Sequence, residues 1–124
     1  RLDPNNADVY HNRGAAYYSK GDYNRAIEDF NQSIRLDPNN ARAYYNRGVA
    51  YDKKGMYDRA IEDYTQGIRL DPNNALYYVG RGNAYCMKGM YDRAIADYQA
   101  ALQIDPNLTP ARVLLEYTRQ ARGW

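Results

Sequence analysis

Arg35-Leu36-Asp37-Pro38-Asn39-Asn40-Ala41 returns unchanged 34 residues later as Arg69-Leu70-Asp71-Pro72-Asn73-Asn74-Ala75, and residues 1–7 spell the same seven residues. Asp105-Pro106-Asn107 keeps the spacing while its flanks drift. Self-similarity at one fixed period of this length marks a stack of short supersecondary units. Taken from these markers, residues 7–40, 41–74 and 75–108 align without a gap. The first two copies agree at 23 of 34 positions and the last two at 19. Residues 1–6 read as the remnant of a preceding copy, which suggests a piece cut from a longer chain. Residues 109–124 form a tail.

Each copy reads as two helices. Asn6, Asn40 and Asn74 stand before the first helix, where a side-chain oxygen can accept from first-turn amides. Gly21, Gly55 and Gly89 end that helix, at a position that favours left-handed backbone. The second helix covers residues 24–36 and their equivalents. It stops before Pro38, Pro72 and Pro106, because proline lacks an amide and disfavours helix in the residue before it. Gly14, Gly48 and Gly82 on the first helix are expected to face Ala26, Ala60 and Ala94 on the second. Tyr10, Tyr17 and Phe30 fill the space around them in copy one, Tyr44, Tyr51 and Tyr64 in copy two, and Tyr78, Tyr85 and Tyr98 in copy three. One hairpin cannot bury such rings alone, so stacked neighbours complete the core.

Composition limits function as well. The 124 residues carry a net charge of +2 with acids and bases interspersed, which gives no long-range field for nucleic acid. No apolar run approaches the ~20 residues of a membrane span. The single cysteine, Cys86, has no internal disulfide partner, which fits a reducing, cytoplasmic setting. Fifteen tyrosines stand against one phenylalanine and one tryptophan, and the repeat accounts for most of them.

The 34-residue spacing, the glycine and alanine positions, the aromatic positions and the terminal Asp-Pro-Asn resemble the tetratricopeptide repeat (TPR) family over residues 1–108. The resemblance implies an all-α fold: a right-handed superhelical solenoid of three helix-turn-helix hairpins with a C-terminal capping helix. One departure is consistent. Where the family often has leucine before the first-helix glycine, this chain has Arg13, Arg47 and Arg81. Asp29, Asp63 and Asp97 follow sixteen residues later, and an Arg–Asp bridge between the two helices of each hairpin is expected. In the tail, Thr109 is expected to cap a helix with Pro110 in its first position. Val113, Leu114, Tyr117 and Ala121 would cover the last hairpin, with Arg112, Glu116, Arg119 and Arg122 in water.

The family resemblance also implies a concave groove lined by the first helices, and with it a protein-binding scaffold. The groove residues would be His11, Asn12 and Tyr18 from copy one; Arg42, Tyr45, Asn46, Val49, Asp52 and Lys53 from copy two; and Leu76, Val79, Gly80, Asn83, Cys86 and Met87 from copy three. Asp8, Ala15 and Ser19 complete the set. Leu76, Val79, Cys86 and Met87 would form an apolar patch, open to a partner or covered by the tail. Asn12 and Asn46, one repeat apart, resemble the asparagine ladder of the O-linked N-acetylglucosamine transferase family, which can pair with a peptide backbone. Replacing both by alanine should weaken binding and leave the melting temperature alone. The family's clamp for acidic chaperone tails needs lysine, asparagine, asparagine, lysine and arginine where this chain has His11, Ala15, Asn46, Leu76 and Gly80. Only Asn46 fits, so no grip on a terminal carboxylate is expected.

Catalytic patterns are absent from the sequence. His11 is the lone histidine, read as solvent-facing on its helix. Cys86 has no base beside it in sequence. Glu28-Asp29 and Glu62-Asp63 diverge by about 100° around a helix and cannot converge on one bond. The expectation is a non-enzymatic partner-binding module without cofactor or metal. The partner is a protein or peptide, not nucleic acid or membrane. Self-association through the repeat ends, or service as the recruitment domain of a larger protein, is the alternative.

Overall fold

The computed structural model describes residues 3–123; Arg1, Leu2 and Trp124, assigned above to the preceding remnant and the tail, lie outside the described residues. Among the described residues, seven helices follow one another: α1 Ala7–Ser19, α2 Tyr23–Leu36, α3 Ala41–Lys53, α4 Tyr57–Leu70, α5 Ala75–Met87, α6 Tyr91–Ile104 and α7 Thr109–Arg122. Consecutive helices pack as hairpins, and each hairpin packs on the next. The caps follow from the repeat. Asn6, Asn40 and Asn74 accept the amides of Asp8, Arg42 and Leu76 at 3.0, 3.1 and 3.1 Å. Gly21, Gly55 and Gly89 have φ of 81°, 75° and 75°. Each donates back to the last turn, and the following amide reaches the carbonyl of Tyr17, Tyr51 or Tyr85 at 2.9 Å. These paired bonds close the helix end and turn the chain back on itself.

Inside each hairpin the closest approach is a glycine against an aromatic ring, and at Gly14 the Ala26 carbonyl comes next, 3.2 Å from where a Cβ would stand. A Cβ on Gly14 would stand 2.8 Å from the Phe30 ring, on Gly48 3.0 Å from Tyr64, and on Gly82 2.7 Å from Tyr98. Ala26, Ala60 and Ala94 are fully buried beside these contacts.

An arginine–aspartate bridge ties each pair of helices. Nε and Nη2 of Arg13 donate to both oxygens of Asp29 at 2.7 Å. Arg47 does the same to Asp63 at 2.8 and 2.7 Å, and Arg81 to Asp97 at 2.9 and 2.8 Å. Each guanidinium also lies between two tyrosine rings of its own first helix: Tyr10 and Tyr17, Tyr44 and Tyr51, Tyr78 and Tyr85, all within 6.0 Å. A planar cation suits ring faces on both sides and a carboxylate at its edge. Part of the tyrosine excess therefore serves the arginines.

Helix α7 corrects the sequence reading in two respects. Leu108, not Thr109, holds the capping position, and no side chain bonds the first-turn amides. The buried face is Ala111, Leu115 and Thr118, while Val113 and Tyr117 are exposed; Leu114 and Ala121 are half-buried. Thr109 lies 34 residues after Ala75, so α7 continues the register as a first helix. Ala111 follows the buried Ala43 and Tyr77, and Thr118 follows the buried Ala50 and Ala84. Arg122 donates to Asp92 thirty residues earlier, as Lys88 does to Asp58 and Lys54 to Asn24. The helix thus docks by the rule of the repeat and not by its own most apolar stripe.

Candidate functional site

The first helices α1, α3 and α5 stand side by side and leave a recess of about 400 Å³ between α3 and α5. Tyr18, Tyr45, Val49, Lys53, Leu76, Val79, Asn83 and Met87 line it, all of them groove residues from the sequence. The recess is floored by Asp52 and Tyr64 and flanked by Tyr57 and Gly80. Asn12 and Arg42 are exposed outside it. Tyr57 and Tyr64 come from the second helix of copy two, which the groove pattern does not include. Tyr64 reads as core from its position, and its ring is core. Only its hydroxyl reaches the groove, where it donates to Asp52 Oδ2.

His11 overturns its sequence reading. It is 6% exposed, not solvent-facing. It shares a face of α1 with the buried Gly14, tilts against the Phe30 ring at 5.7 Å, and meets Asn46 of the next copy. Asn46 Nδ2 and His11 Nε2 are 2.8 Å apart. Burial, and then the charge of Arg42, lower the imidazole's pKa. Asn46 Nδ2 is an amide nitrogen and can only donate, so the ring accepts at Nε2. This contact also corrects the expectation for the Asn12/Asn46 double alanine: Asn46 carries a structural bond, so the melting temperature must move.

In copies one and two the fifth position packs forward. Tyr45, the equivalent of His11, stacks on Tyr77 at 4.9 Å and tilts on Tyr64 at 5.7 Å. The asparagine ladder ends at Gly80 for a steric reason. A Cβ there would sit 2.9 Å from the Tyr64 ring, so no asparagine fits. Asn83, one turn on, accepts the Tyr98 hydroxyl at 2.6 Å.

The apolar patch of copy three divides. Val79 and Cys86 pack against the cluster that α7 covers, and Cys86 Sγ lies 3.4 Å from Thr118 Oγ1. Leu76 and Met87 stay 52% and 64% exposed. A second, apolar recess of about 320 Å³ runs on from Met87 toward Tyr117. The clamp positions offer no basic fork: His11 is buried, Asn46 is engaged with it, and Ala15, Leu76 and Gly80 carry no charge. Among the described residues, no helix is long and apolar enough to cross a membrane, and no group of three His, Cys, Asp or Glu is placed to hold a metal ion.

Comparison with known proteins places this geometry. A search of the curated proteins found no match. Among solved structures, the first TPR of Spaghetti (RPAP3), bound to HSP90 peptide SRMEEVD, is 27% identical over 99% of this chain and 98% of that one, with a TM-score of 0.93. The second TPR domain of human RPAP3, in complex with HSP70 peptide SGPTIEEVD, is 30% identical over 92% of this chain and 98% of that one, with a TM-score of 0.86. MamA is 30% identical over 98% of this chain and 71% of that one, with a TM-score of 0.94. The fold is accordingly all-α, a right-handed superhelical solenoid of three hairpins with a C-terminal capping helix. The TPR repeat profile matches residues 14–55, and the tetratricopeptide repeat profile matches residues 41–74 and 75–108. With most of its length matched, this chain belongs to the tetratricopeptide repeat family.

Proposed function

We propose that this chain is a non-catalytic scaffold whose groove holds an extended segment of a partner protein. The carrying observation is the recess between α3 and α5: it is open, walled by tyrosines and aliphatic side chains, and rimmed by the exposed Leu76 and Met87. A half-apolar concavity with few convergent polar groups is what ligand sites look like. The peptides bound by the two RPAP3 domains support the class of ligand. The side chains here favour a different member of it, because no basic fork meets a terminal carboxylate. Apolar side chains and backbone amides of the partner would carry the affinity.

Panning a random twelve-residue peptide library on the purified chain tests this. Enriched peptides should bind Leu76→Glu/Met87→Glu roughly tenfold more weakly or worse, since two anchors are lost at exposed sites. The melting temperature should not change. Peptides that bind the double variant as well as the parent would sink the proposal. Peptide SRMEEVD should not compete.

A second reading is self-association. Val113 and Tyr117 leave an apolar outer face on α7, and the first repeat's Arg13 is 43% exposed where Arg47 and Arg81 are 20% and 21%. Molar mass that rises with concentration in light scattering favours it; a constant monomer mass removes it.

A further inference from the structure

The recess between α3 and α5 holds a carboxylate that the fold does not require. Asp52 occupies the twelfth position of copy two, where copy one has Tyr18 and copy three Cys86. Its Oδ2 accepts the Tyr64 hydroxyl. Its Oδ1 is buried and has no hydrogen-bond partner. Copy three shows that the tyrosine hydroxyl needs no charge: Tyr98, the equivalent of Tyr64, is satisfied by the neutral amide of Asn83 at 2.6 Å. Copy one has Phe30 and no hydroxyl at all. The charge on Asp52 is therefore surplus to packing.

That charge has no direct ion-pair partner; the field of the neighbouring Lys53 only partly eases it. Asp52 takes part in none of the ion pairs among the described residues, and neither does the exposed Lys53 beside it on the rim. Burial raises its carboxyl pKa above the ordinary value, as befits an anion short of water. Around it stand the rings of Tyr18 and Tyr45, and aromatic rings attract cations. Above them Val49 and Leu76 offer apolar wall. A side chain that suits all three features has a hydrocarbon stem and a cationic head.

We propose that this recess takes a lysine or arginine side chain of the bound segment, with Asp52 as its counter-charge. The inference rests on the groove reading above and gives it a sign. The partner segment is basic at this point, opposite to an acidic tail. A carboxylate among rings is poorly screened, so it acts on a cation without the two needing to touch through the buried oxygen.

The test uses four pools of nine-residue peptides, acetylated and amidated. Each has degenerate flanks and a fixed central residue: lysine, arginine, norleucine or glutamate. Retention on the immobilised chain is read by mass spectrometry. The lysine or arginine pool should be retained roughly fivefold more than norleucine, and glutamate least. The chain's net charge of +2 would by itself favour glutamate, so general electrostatics cannot mimic this order. Asp52→Asn keeps an acceptor for Tyr64. It should abolish the basic preference, bringing the basic pools level with the norleucine pool on the same variant. The preference of the parent chain should also shrink as salt is raised, which needs no variant. Retention of norleucine with no basic preference overturns this inference and leaves the groove reading standing. A basic preference that survives Asp52→Asn or high salt overturns it as well. Retention of no pool defeats the groove reading, and this one with it.

Discussion

The seams inside the three hairpins are alike, whereas the groove across them is not. At each seam an arginine lies between two tyrosine rings and grips an aspartate sixteen residues on. In the groove, the fifth position is His11, Tyr45 or Val79, the sixth Asn12, Asn46 or Gly80, and the twelfth Tyr18, Asp52 or Cys86. The difference follows from what each position touches. A seam is closed within one copy, so every copy must carry all of its parts. In copies one and two the fifth position packs on the next copy, as His11 does on Asn46 and Tyr45 on Tyr77. Such positions can differ as long as neighbours fit. Architecture is written in what repeats, and specificity in what does not.

The strongest way to break this contrast is to show that the seams are not equivalent after all. Asp63→Ala leaves the Arg47 guanidinium, 20% exposed, among rings without its anion. That should cost roughly 3 kcal/mol, at the lower end for breaking a buried pair because some water reaches it. Arg47 keeps only its bond to Asn31 Oδ1, at 2.9 Å. Asp29→Ala should cost roughly half as much, because Arg13 is 43% exposed and can hydrate. Thermal and urea unfolding of the two variants check the order. Equal losses would mean that the bridges count only for the packing of the arginine stems.

The seams are legible in sequence because identical residues at a fixed offset have one simple explanation, contact across the hairpin. The fold is legible for the same reason. Two expectations fail from another, shared cause: His11 in water, and Val113 and Tyr117 on the covering face of α7. Each depends on how one copy meets the next, and a residue's own helix does not reveal that. For α7 the clue is in the register: 34 residues on from Tyr77 stands Ala111, and 34 on from Ala84 stands Thr118. For Asp52 no pattern in the chain distinguishes a solvated carboxylate from one beneath a tyrosine hydroxyl.

A smaller effect sharpens the contrast inside the groove itself. Asn12 and Asn46 are equivalent in register but not in role. Asn12 is exposed, and Asn46 holds His11 at 2.8 Å. Asn46→Ala should lower stability by about 1 kcal/mol, the worth of one such bond. Asn12→Ala should stay within about 0.5 kcal/mol of the parent, as surface changes do. Differential scanning calorimetry distinguishes them. Matched losses would show that Asn12 has a partner in the folded chain.

The least effect is one of slope with pH, and it comes from the same contact. Burial and Arg42 lower the pKa of His11 in the folded chain below its ordinary 6.5. The folded form therefore binds a proton less readily than the unfolded form. Stability from this group is fully present above pH 6.5 and is lost as pH falls from there through the lowered folded value. Protonation would also place a donor on Nε2, against the Asn46 amide nitrogen 2.8 Å away. His11→Gln removes the titration while keeping a polar side chain. Its unfolding free energy should vary less than the parent's across the range just below pH 6.5, as urea titrations at a series of pH values would measure. Parallel curves for the two proteins would mean that the imidazole reaches water more freely than its place between Phe30 and Asn46 allows.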